Sequence, residues 1–62
     1  MGSIYGFQDG YSYEAHYDYT YDCWILYVSD DDGNELSTST TMERLYESID
    51  YCIYQLEQRK EK

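Results

Sequence analysis

No lysine or arginine occurs before Arg44 in this chain of 62 residues. The first 43 residues hold Asp9, Glu14, Asp18, Asp22, Asp30, Asp31, Asp32, Glu35 and Glu43, and so carry the whole formal net charge of −9. In the remainder Glu47, Asp50, Glu57 and Glu61 balance Arg44, Arg59, Lys60 and Lys62. A chain so short of cations is excluded from neutralising phosphates, so neither direct nucleic-acid binding nor adhesion to anionic membranes is its main activity. Proline is absent as well, and marks no turn. No apolar run approaches the roughly 18 residues a membrane-spanning helix needs. The start, Met1-Gly2-Ser3-Ile4-Tyr5, lacks the basic and apolar regions of a secretory leader, so a cytoplasmic location is expected. One histidine, His16, leaves no network for general base catalysis. Phosphate loops, nucleophile elbows and CxxC pairs are missing too. No enzyme, metal or cofactor is expected.

What is present is tyrosine, ten of the 62 residues, with hydrophobic residues at 42%. That is too apolar for a disordered acidic tail. The length allows one domain, residues 1–62, of marginal stability. A small domain needs a net charge of only about 2 to 8 units for solubility, so the excess suggests that the field is used.

Residues 11–21 alternate strictly: Tyr11, Tyr13, Ala15, Tyr17, Tyr19 and Tyr21 on one parity, and Ser12, Glu14, His16, Asp18 and Thr20 on the other. This period of two predicts a strand with one buried and one wet face. Cys23-Trp24-Ile25-Leu26-Tyr27-Val28 is apolar on both parities and reads as a central strand. An unbroken strand from 11 to 28 would be unusually long, so a turn or bulge is expected between Tyr17 and Asp22. Asp9-Gly10 and Asp30-Asp31-Asp32-Gly33-Asn34 are hairpin signals. They leave Ile4–Phe7 as a first strand and Glu35–Ser39 as a last.

From about residue 41 to 60 the chain predicts a helix. Thr40 is read as its N-cap, with Glu43 completing a capping box. Met42, Leu45, Tyr46, Ile49, Cys52, Ile53 and Leu56 define its apolar face. Arg59, Lys60 and Lys62 fall in the last turn, where cations suit the helix dipole. The expected fold class is α+β: a small antiparallel sheet of three to four strands, spanning about 3–39, with one C-terminal helix packed on one face.

Several residue groups invite a chemical reading. The Asp30–Gly33 run resembles a calcium loop, but alignment on Gly33 puts Val28 and Ser39 at the first and last ligand positions, which excludes an EF-hand. Glu14, His16 and Asp18 share a strand face at i, i+2, i+4, yet one histidine on an already wet face reads as solvation. Cys23 and Cys52 would close a loop of roughly thirty residues. Cys52 packs as a small hydrophobe on the helix face, so free thiols are expected.

The helix carries a second pattern. At 100° per residue Glu43, Glu47, Asp50 and Glu57 lie within about 80° of one another, with Tyr54 among them. The first three are spaced about 6 and 4.5 Å along the axis, similar to the roughly 6–7 Å between backbone phosphates along one DNA strand, against an axial rise of about 3.4 Å. Arg44 and Arg59 fall on the other flank. Tyr46 is placed in the core by its spacing, and Tyr51 and Tyr54 outside it. Exposed tyrosines among carboxylates describe a surface that docks into a basic groove, its rings able to receive arginine.

In size, charge and aromatic content the chain resembles the small acidic phage-encoded inhibitors that mimic DNA, among them anti-CRISPR and anti-restriction proteins. The carrying features are the cation-free segment 1–43, Asp30-Asp31-Asp32, and the Glu43/Glu47/Asp50/Glu57 stripe. The resemblance implies a non-enzymatic inhibitor in the bacterial host cytoplasm. Its partner would be a basic nucleic-acid-binding protein, such as the DNA-binding subunit of a type I CRISPR complex. On this reading the contact residues are Glu14, Asp18, Asp22, Asp30, Asp31, Asp32, Glu35, Glu43, Glu47, Asp50, Tyr54 and Glu57. Like charge opposes self-association, so a monomer is expected. The alternative is a small cytosolic adaptor or regulatory module that binds proteins through exposed tyrosines.

Overall fold

The computed structural model describes residues 2–60. Four strands, β1 (Ser3–Gln8), β2 (Tyr11–Asp18), β3 (Cys23–Ser29) and β4 (Glu35–Thr40), form one antiparallel sheet in sequence order. A 3-10 turn, Met42–Arg44, leads into helix α1 (Leu45–Lys60), which packs back across β3 and β4.

The turns follow from residues that tolerate left-handed backbone. Asp9 and Gly10, at φ 55° and 84°, make the two-residue β1–β2 connection, with Gln8 paired to Tyr11. Two successive positive φ values match the right-handed twist of a tight hairpin. The expected break in the long alternating run falls at residues 19–22. Asp22 takes φ 54° there, so aspartate rather than glycine supplies the turn.

Register decides which side of the sheet each residue serves. Tyr13, Ala15, Leu26, Val28 and Leu36 face α1, through the pairs Ala15 with Leu26, Tyr13 with Val28 and Val28 with Leu36. Leu45, Ile49, Cys52, Ile53 and Leu56 of α1 close the core from above. The aromatic at Tyr11 is buried in the same cluster, and Trp24 packs at its margin. Tyr13 lies over Gly6 on β1. A Cβ at Gly6 would stand 2.5 Å from the Tyr13 hydroxyl and 2.6 Å from the ring carbon Cζ. Glycine at this strand position therefore makes room for an aromatic ring from the neighbouring strand. Gly6→Val should swing Tyr13 off the core edge and cost about 1–3 kcal/mol. A urea titration monitored by circular dichroism checks this, and an unchanged midpoint would refute the packing role.

Three expectations about the helix start change. The strand runs one residue longer than expected, because Thr40 still pairs with Trp24. The cap is then Thr41, whose hydroxyl accepts from the Arg44 N–H at 3.3 Å. This shifts Glu43 out of the capping-box position. Thr40 is instead buried, its hydroxyl 2.7 Å from that of Ser48. Met42 and Tyr46 leave the core, at 53% and 63% exposure. Met42 sits in a 3-10 turn, whose three residues per turn break the phase of the helix that follows. Tyr46 lies about 20° beyond Ile53 on the helical wheel, outside the arc that the sheet covers. Lys62, expected in the last turn, lies outside the described residues.

Candidate functional site

One helix covers one side of the sheet, so two surfaces stay open: the outer face of α1 and the far face of the sheet. The outer face of α1 presents Glu47, Asp50, Tyr54 and Glu57, all exposed, with Glu43 exposed in the turn before them. Two of these carboxylates are held. Asp50 accepts from Gln8 Nε2 at 2.5 Å, and Glu57 from the Tyr11 hydroxyl at 2.9 Å. Burial first, and then the Glu57 carboxylate, push the Tyr11 phenol above its ordinary range. Asp50, Tyr54 and Glu57 join Asp9, from the β1–β2 turn, around a groove of about 380 Å3. Asp9 enters this surface although the sequence marks it only as a turn residue.

The three aspartates after β3 separate. Asp31 and Asp32 are exposed at the loop tip. The Asp30 side chain, only 2% exposed, organises the loop. Its Oδ1 accepts from the backbone N–H groups of Asp32 and Asn34, both at 2.9 Å, and its Oδ2 accepts from Asn34 Nδ2 at 3.0 Å. Lys60 at the end of α1 lies 3.7 Å from the same carboxylate and 4.8 Å from the centre of the Tyr11 ring. Hydrogen bonds from Asn34 first, with further help from Asp32 N–H and Lys60, hold the Asp30 carboxyl below its ordinary value against the opposing effect of burial. Asp30 is thus a fixture of the fold, and Lys60 is spent on it rather than on the outer carboxylates.

Asp18 and Asp22 serve the β2–β3 turn. Asp18 Oδ1 accepts from Thr20 N–H at 2.9 Å, and Asp22 accepts from the Tyr17 hydroxyl. That bond to Asp22 is the leading cause of a raised Tyr17 phenol. The placements of Asp18, Asp22 and Asp30 show carboxylates fastened to local donors, unlike Asp31, Asp32, Glu43 and Glu47.

The far face of the sheet is built in rungs. Glu14 pairs with Tyr5 on one side and Tyr27 on the other. The next rung carries Phe7, Ser12, Ser29 and Glu35, with the Ser12 and Ser29 hydroxyls 2.9 Å apart. On the other side His16 lies between Ser3 and Ile25. Its Nε2 is 2.5 Å from Glu14 Oε2 and its Nδ1 is 3.0 Å from the Ser3 hydroxyl. Edge-on ring contacts link Tyr5 to His16 at 6.0 Å and His16 to Tyr27 at 6.3 Å. Phe7 is 84% exposed and Tyr5 65%. This aromatic face went unrecognised among the site residues. The signal was present: a two-residue turn at Asp9-Gly10 pairs odd residues of β1 with even residues of β2, which places Tyr5 and Phe7 on the wet side.

Both cysteines are free. Cys52 is in the core beneath α1, where burial raises its thiol. Cys23 pairs with Asp18 on the opposite side of the sheet. The sheet therefore stands between the two sulfurs. Among the described residues no helix is long and apolar enough to cross a membrane, and no three His, Cys, Asp or Glu side chains gather as a metal site. The fold defines a class, an α+β meander of four strands crossed by one helix. No protein-family model matches the chain, and no curated protein or solved structure matches it significantly.

Proposed function

We propose that this protein is a non-enzymatic inhibitor that presents carboxylates in place of DNA phosphates and blocks a basic nucleic-acid-binding groove. The carrying observation is the outer face of α1, where Glu47, Asp50 and Glu57 are exposed together with Tyr54, with Glu43 exposed in the 3-10 turn before them. Arg59 falls on the other flank of α1 by its spacing, and Lys60 is bound to Asp30. Asp9 joins this face beside Asp50, Tyr54 and Glu57, and Asp31 and Asp32 add exposed carboxylates in the β3–β4 turn. The longest dimension, 37 Å, is close to one turn of B-DNA, roughly 34–36 Å. The class resemblance directs the proposal to the bacterial cytoplasm and to the DNA-binding subunit of a type I CRISPR complex as the first partner to test.

Opposite fields steer encounter, so association should be fast and should weaken with salt. The purified subunit should bind the protein in competition with duplex DNA, and binding should fall between about 50 mM and 200 mM salt. The combined variant Asp31→Asn, Asp32→Asn, Glu47→Gln should lose about three- to a hundredfold in affinity, at ~0.2–1 kcal/mol per exposed ion pair. Its melting temperature should not change. Affinity indifferent to salt and to this variant would defeat the proposal.

A second reading, a protein-binding adaptor, draws on Tyr46, Tyr51 and Tyr54, all more than half exposed on α1. It expects Tyr51→Ala and Tyr54→Ala to abolish capture of a partner from lysate at any salt concentration.

A further inference from the structure

We propose that the depression on the open face of the sheet, about 190 Å3 in volume, binds the guanidinium of an arginine side chain from a basic partner. The inference rests on the reading above, that the partner is basic, and adds where one of its cations is seated. The volume falls below the roughly 300–1,000 Å3 of small-molecule pockets and suits one side chain. The walls have the chemistry of a cation site. Tyr5, Phe7 and Tyr27 offer aromatic rings, and Glu14 and Glu35 offer carboxylates.

Register places these groups in a useful order. Glu14 lies directly between Tyr5 and Tyr27 across three strands. A planar guanidinium laid on this rung would stack on rings while its N–H groups reach a carboxylate, a combination that favours Arg over Lys. His16 occupies Oε2 of Glu14, which leaves the other oxygen and Glu35 for the incoming donors. The sequence holds no Lys or Arg in residues 1–43, so His16, on one oxygen of Glu14, is the one basic side chain of the sheet beside the site. Charge complementarity therefore favours a basic partner over a second copy of this chain. A second copy would bring Glu14 and Glu35 against their own counterparts.

The test uses the whole protein and a defined probe, N-acetyl-arginine methylamide, followed by aromatic NMR. The arginine compound should shift the ring signals of Tyr5 and Tyr27 saturably. The citrulline analogue, equal in shape but uncharged, should shift them far less, and the lysine analogue should fall between. Phe7→Ser and Glu35→Gln alter exposed side chains and should leave the circular dichroism spectrum intact. Each should weaken arginine binding about two- to fivefold, the range of an exposed cation–π or ion-pair contact. Equal shifts from arginine and citrulline would overturn the proposal, as would arginine shifts confined to α1. Sedimentation as a dimer that Phe7→Ser releases would also overturn it, by assigning the face to a second copy. The arginine titration needs no cellular target. Its failure leaves the salt-dependent capture through α1 standing, and loss of that capture leaves a positive titration standing.

Discussion

Leu26→Ala should lower the melting temperature by roughly 8–40 °C, given a cost of about 2–5 kcal/mol for emptying a buried leucine site and about 4–8 °C per kcal/mol in a domain this small. Leu26 is fully buried in β3, where it pairs with Ala15 and Thr38 under α1. The core it belongs to is short: five helix residues over a few strand residues. Ala15 beside it has no side-chain length to move into the gap, so the cavity would persist. At about 0.05–0.15 kcal/mol per residue, a domain of this size holds only about 3–9 kcal/mol in all. The lost leucine removes about a fifth or more of that, and at the lower end of the range much of the population should be unfolded at 37 °C. Leu26→Met, which keeps the volume, should cost less than about 1.5 kcal/mol. Phe7→Ser, on the other side of the sheet and 84% exposed, should melt as the parent does. Thermal circular dichroism of the three variants decides the matter. A Leu26→Ala chain that melts with Phe7→Ser would mean that stability comes from the sheet ladder rather than from the core beneath α1.

The strong regularities of the chain carried most of the fold. Alternation in residues 11–21 set the strand and its buried parity, and Tyr11 and Ala15 are buried accordingly. The spacing of Leu45, Ile49, Cys52, Ile53 and Leu56 set the helix face. Where several forces compete, pattern alone misled. Thr40 and Thr41 are both good caps by residue type, and only the ladder bond to Trp24 decides between them. Tyr46 has helical spacing but stands at the rim of an arc whose width depends on how much sheet lies below, which no local pattern reports. Tyrosine adds to the difficulty: it suits a half-wet strand and an exposed helix alike. Of the ten tyrosines only Tyr11 is fully buried.

The acidic surface was legible as charge but not as geometry. Carboxylates count equally in a sequence, whereas their neighbours divide them. Asp18 and Asp22 fasten a turn, and Glu14 bonds His16. Asp31, Asp32, Glu43 and Glu47 face solvent. The aromatic face was hidden for a different reason. Apolar residues on both parities mark β3 as a central strand without saying which parity the single helix covers. Ile25 and Tyr27 are left on the open side with Tyr5 and Phe7.

The division of the aspartates has a consequence that can be measured against pH. Asp30→Ala should lower the melting temperature by about 5–10 °C, because it removes the acceptor for Asp32 N–H, Asn34 N–H and Asn34 Nδ2, and the anchor for Lys60. The carboxyl of Asp30 is held below its ordinary value, so the folded state favours its charged form. Its contribution is then present above the unfolded value, about 3.9, and is lost as pH falls through the lower folded value. The stability gap between parent and Asp30→Ala should accordingly be constant near neutrality and narrow below about pH 4. Urea midpoints across that range report the gap. Asp31→Asn with Asp32→Asn should show no such gap at any pH and should instead weaken the salt-dependent capture by a basic groove. The contrast separates a carboxylate that builds the loop from two that the loop displays. An Asp30→Ala protein with the parent's midpoint but lost capture would reverse these roles and return Asp30 to the contact surface.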